Sequence, residues 1–238
     1  GSTNWTITNN KLYQTTTKTQ VTTGTIHAGI QLASTNIVGC VITGNTIGFS
    51  SAAGTGQYSI VGVSTSSRMV GIYSSALGTT EPTIISNNTI QNISLSGALL
   101  GTTTTSSAFI GIQIASGWVL ECNNNTVGSL DGSKTISITT SSTSTSEMYG
   151  IYSSVSISAQ TDFKNNKIGS LTYTNTGTIA CGIIGMRAGN TAGNTLNIEN
   201  NIIGGVEGEL KTVNNSATAT LNGNTVIGIY VQTSTSTI

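Results

Sequence analysis

Few side chains in this sequence are equipped for chemistry. Of 238 residues, 8 are Lys or Arg, 8 are Asp or Glu, and His27 is the lone histidine. The densest charged group is Glu121, Asp162, Lys164 and Glu199. Glu121 and Asp162 hold the same place in two successive copies of a repeat, so stacking sets their carboxyls about 5 Å apart. That is near the separation of a retaining glycosidase pair, about 5–5.5 Å. Lys164 lies on the same strand face as Asp162, and Glu199 stacks on it in the next copy. The weightier reading is a solvated ion-pair patch, in which exposed pairs contribute about 0–1 kcal/mol. His27 has no acidic or cysteine companion nearby in sequence, and a lone histidine defines neither a metal site nor a triad. There is no Gly-x-Ser-x-Gly elbow, no Asp-rich glycine nonapeptide for calcium and no Cys-x-x-Cys pair. No cofactor, metal site or catalytic residue is therefore expected. Cys40, Cys122 and Cys181 read as small buried hydrophobes.

The elements that would position these residues follow from an unusual composition. Thr (43), Ser (31), Ile (29), Gly (29) and Asn (23) dominate, and only 7% of residues are charged. Zero net charge without a basic run disfavours nucleic acid and anionic membrane surfaces. No apolar run reaches the roughly 18–20 residues of a membrane span. Scarce helix formers and abundant β-branched residues point to an all-β fold.

An internal repeat organises the chain. One motif, apolar-x-Asn/Gly-Asn-x-apolar, places Asn10, Asn45, Asn88, Asn125, Asn166 and Asn201 at steps of 35, 43, 37, 41 and 35 residues. An out-of-step copy runs from Leu221 to Val226. Ahead of the Asn in each copy stand Ile7, Ile42, Ile85, Cys122, Phe163, Ile198 and Leu221, one register that should face inward. Their neighbours Thr6, Val41, Ile84, Glu121, Asp162, Asn197 and Thr220 should face out. A second motif begins Gly-Ile at Gly29, Gly71, Gly111, Gly150 and Gly228, with Gly182 and Gly185 both eligible in the remaining copy. Each repeat then holds two short apolar strands and a looser Ser/Thr-rich limb, such as Thr102–Ser107 or Thr139–Ser146, read as a third strand with a long loop. One coil alone leaves its edges and apolar face bare, whereas stacked coils cover both. An inward Ile column becomes a ladder. Asn suits a sharp corner because it tolerates the left-handed conformation, and its amide can donate and accept along the stack.

The Asn-Asn-x-Ile and Gly-Ile-Tyr repeats resemble the right-handed parallel β-helix of the pectin-lyase-like superfamily, and above all the repetitive arrays of secreted bacterial surface and filament proteins. The resemblance implies about six coils of roughly 38 residues with Asn and Ile ladders, a single solenoid domain over 1–238, and an extracellular or cell-surface setting.

Tyr73, Tyr152 and Tyr230 follow the Gly-Ile pair and should project outward, where tyrosine offers an apolar face and a polar tip to sugar rings. Neither chain end reads as a polar cap, so the solenoid is expected to be open at both ends, either a fragment or a filament subunit. The leading expectation is a non-catalytic structural segment of an extracellular fibre or adhesin, self-associating head to tail by edge-strand stacking. The alternatives are a glycan-binding module using the tyrosines, and a polysaccharide-cleaving enzyme built on Glu121 and Asp162.

Overall fold

The computed structural model describes residues 4–21, 26–33, 37–62, 67–75, 80–98, 107–141, 146–155, 160–177, 180–190, 195–214 and 225–233. Within them the chain winds as a parallel β-solenoid. Four sheets run along the axis, each six strands deep, and every strand pair is parallel. The third coil shows the plan, with strands Thr83–Ser86, Thr89–Gln91, Ile93–Gly97 and Phe109–Ile114 falling in the first to fourth sheets in turn.

Each coil thus has four strands rather than two and a limb. The Asn motif is not one strand but two short ones folded about a corner. At that corner Asn9, Asn87, Asn124, Asn165 and Asn200 take φ of 54–57°, and Gly44 takes 67°. Gly223, in the out-of-step copy, lies outside the described residues. That copy forms no corner among the described residues: Thr225 and Val226 begin the last strand of the fourth sheet, Thr225–Thr233. The Ser/Thr limb supplies a complete third sheet, whose outward column runs Ser59, Ser94, Ser137, Thr172 and Lys211 in register. The segments 102–106 and 142–145 lie outside the described residues.

The core is the sum of inward columns. Ile7, Ile42, Ile85 and Cys122 pair strand to strand in the first sheet, as do Phe163 and Ile198. Ile42, Ile85, Cys122 and Phe163 are fully buried, while Ile7 and Ile198, on the first and sixth coils, pack against the cluster from its ends. Each well-buried Ile contributes about 1.5–3 kcal/mol. Burial pushes the Cys122 thiol up to about 12, as expected of an inert core sulfur.

The Gly-Ile strands owe their glycine to crowding. A Cβ on Gly71 would sit 2.5 Å from the Gly111 carbonyl oxygen and 2.8 Å from Ile90 Cδ1, so the fourth sheet approaches the second only because no side chain intervenes. Gly185, not Gly182, continues this column, facing Ile203 and the Gly228 carbonyl. Side-chain alternation breaks at the glycine while the pairing register is kept, so Met69 and Ile72 on either side of it both reach the core.

Candidate functional site

The most regular feature is the corner itself. Asn45, Asn88, Asn125 and Asn166 are 0–1% exposed. Asn88 shows the pattern. Its Nδ2 donates to Asn125 Oδ1 at 3.1 Å and to the Ile42 carbonyl at 2.9 Å. Its Oδ1 accepts from the Asn45 backbone N–H at 3.1 Å and from Asn45 Nδ2 at 3.0 Å. Two donors and two lone pairs are the full capacity of the amide. The arrangement repeats from Asn10 to Asn201. Two adjacent asparagines therefore divide the work: the first makes the left-handed turn, and the second carries the ladder.

The charged group of the first sheet does come together. Glu121 is opposite Asp162, and Lys164 is opposite Glu199. Lys164 Nζ lies 3.2 Å from Asp162 Oδ2 and 3.6 Å from Glu199 Oε1. Asp162 Oδ1 accepts from Gln160 Nε2 and Asn197 Nδ2, both at 2.8 Å. Desolvation raises the Asp162 pKa, but hydrogen bonds from Gln160, Asn197 and Lys164 outweigh it and hold the carboxyl below its usual range. Both oxygens are occupied and the group is kept ionised, the reverse of what a general acid needs.

His27 acquires partners that its sequence neighbours do not reveal. Its Nδ1 is 3.1 Å from Lys18 Nζ and its Nε2 is 2.5 Å from the Tyr58 hydroxyl. Desolvation, then the Lys18 charge, lower its pKa to about 4. With Lys18 donating to Nδ1, the ring is neutral and its proton faces Tyr58. Among the described residues no three His, Cys, Asp or Glu side chains gather as metal ligands.

The tyrosines share a column without sharing a surface. In the fourth sheet Gln31, Tyr73, Gln113, Tyr152, Arg187 and Tyr230 stack in register. Tyr152 is 3% exposed and Tyr230 39%, with Tyr73 between them. A continuous tyrosine platform is therefore absent, because the outward face of this sheet is itself largely packed. Val70, Ile110, Tyr149, Tyr152 and Ile184 form a second hydrophobic cluster there. Tyr149 meets Tyr152 edge-on at 5.2 Å.

Where that cluster reaches the later coils it opens into a groove of about 300 Å³, lined by Glu147, Tyr149, Ile184, Arg187, Ile227, Tyr230 and Gln232. The Arg187 guanidinium is stacked between two rings, 5.1 Å from Tyr152 and 5.6 Å from Tyr230. It donates to Gln232 Oε1, and the Tyr149 hydroxyl donates to Glu147. Burial, followed by the bond to Glu147, holds the Tyr149 phenol well above its usual range. Sequence reasoning missed Tyr149 and Arg187. Fixing the glycine column at Gly150 and Gly185 would have placed Tyr149 just before it and Arg187 two residues after it, both pointing outward.

Strand pairing, corner ladder and core columns together define a parallel β-solenoid. The chain matches no family model, no curated protein and no solved structure.

Proposed function

We propose that this chain is a structural segment of an extracellular fibre or cell-surface adhesin, extended by head-to-tail stacking of solenoid ends. The observation that carries the reading is the direction of the Asn ladder. Within the ladder each Asn from Asn10 to Asn166 donates to the amide oxygen of the Asn in the next coil, so the ladder has one direction. The sixth coil of one copy laid on the first coil of another would repeat the hydrogen bonds found inside.

Apolar surface supports the same contact. Val226, Ile229 and Val231 are 48%, 44% and 51% exposed on the last strand, and Trp5 is 55% exposed on the first coil. A heterologous contact of this kind does not close, so it builds a filament. We read the chain as non-catalytic, a reading supported by the fully engaged carboxylate of Asp162.

Electron microscopy over a concentration series tests the proposal. Fibres with an axial repeat near 4.8 Å, abolished by Ile229→Lys, are the expected result. Dispersed single particles at every concentration would overturn it.

A further inference from the structure

We infer that the groove on the outer face of the fourth sheet binds one sugar residue of a neutral glycan. The lining side chains point away from the axis, but Ile227, Tyr230 and Gln232 belong to the last strand of the fourth sheet, beside the surface proposed for stacking, so binding is tested on the unassembled chain. Ile184 and Ile227, consecutive in the outward column, give an apolar floor. Tyr230 adds an aromatic wall that remains 39% exposed.

The polar groups sit at the rim and differ in kind. Glu147 accepts, Arg187 donates, and Gln232 does both. A pyranose ring has the same division, with C–H groups on its face and hydroxyls around its edge. The volume of about 300 Å³ is at the small end of ligand clefts, which run from about 300 to 1,000 Å³, and so suits a single sugar ring.

Preorganisation strengthens the case. Tyr152 and Tyr230 cover both faces of the Arg187 guanidinium, within the roughly 6 Å range of cation–π attraction. Its N–H groups also donate to Gln232 Oε1 and the Tyr149 hydroxyl, which holds the guanidinium in place and leaves the remaining N–H groups for a ligand. Among the described residues no carboxylate lies within ion-pair distance of Arg187. Glu147 and Arg187 are the only charged groups in the lining and are opposite in sign. That balance selects a neutral glycan over a uronate. It also separates this groove from the Glu121–Asp162 group on the first sheet.

The test is a neutral oligosaccharide array, followed by calorimetry with maltose, cellobiose, lactose and any further array hit, and with digalacturonate as the charged comparator. A neutral glycan should bind, and Tyr230→Ala should weaken it at least about tenfold, the loss of one good stacking contact. Gln232→Ala, at an exposed position on the rim, should weaken it about threefold with the thermal midpoint unchanged. Three outcomes would overturn the inference: no neutral glycan bound by the wild type, digalacturonate preferred, or affinity unchanged in both folded variants.

Discussion

Two kinds of column run along this solenoid, and they obey different rules. At the corner the same residue type recurs from Asn10 to Asn201, and each interior copy is buried with its amide satisfied by its neighbours. On the outward face of the fourth sheet the column changes at every coil: Gln31, Tyr73, Gln113, Tyr152, Arg187, Tyr230. A buried amide has only its vertical neighbours as partners, so every coil must supply the same group. An outward side chain can be satisfied by water, by a flanking residue or by a ligand, so identity is released and specificity can be placed there.

Breaking the ladder in the middle should have the largest effect. Asn88→Ala removes the acceptor of the Asn45 backbone N–H and of one Asn45 Nδ2 proton, and a donor to the Ile42 carbonyl, at about 1–3 kcal/mol for each buried group left unsatisfied before relaxation. A loss of about 3–5 kcal/mol in chemical denaturation is expected. The adjacent Asn87→Ala should cost only about 1 kcal/mol, the strain of a left-handed alanine. Equal effects at the two positions would refute the division of labour between them.

The first coil gives a smaller and pH-dependent effect. His27 titrates near 4 in the fold against 6.5 in the unfolded chain, so between those values the unfolded state holds more protons. Stability is complete above pH 6.5 and falls as the pH drops toward 4. Solvent screening at this partly exposed ring limits the loss to about 1–2 kcal/mol. Denaturation midpoints at pH 7 and pH 4.5 should differ by less in His27→Gln than in the wild type.

The smallest effect should come from the charged column. Lys164→Met should shift the denaturation midpoint at neutral pH only slightly, since its partners are solvent-exposed or hydrogen-bonded elsewhere. A shift several times larger, measured by the same denaturation, would mean that this patch is a structural column like the Asn ladder.

The corners and the first-sheet core were legible because their residue types have few substitutes. Asn-Asn meets a left-handed turn and a buried amide at once, and the register of Ile42, Ile85 and Phe163 follows from it. The passage from the second sheet to the third was harder to read. Leu130 and Val206 follow the turn in sequence, yet Ile136 and Leu210 take the inward places opposite Ile93 and Leu171, and Val206 is 97% exposed. Inserted residues separate corner from strand there, and local spacing cannot reveal an insertion. The third sheet was read as a loose limb because alternating Ser and Thr are as common in turns as in strands. Only pairing with the coils above and below settles its register. The groove escaped notice because Tyr149 and Arg187 come from separate coils and are related by stacking alone.

The unequal repeats have a consequence for how this chain keeps its phase. Successive ladder asparagines are 35, 43, 37, 41 and 35 residues apart, yet every corner returns to the same alignment. Each Asn pair acts as a synchronising mark that cancels whatever length has accumulated since the previous one. A longer or shorter excursion in one coil is therefore not transmitted to the next. Such an array can acquire new surface loops one coil at a time while its axis stays in step.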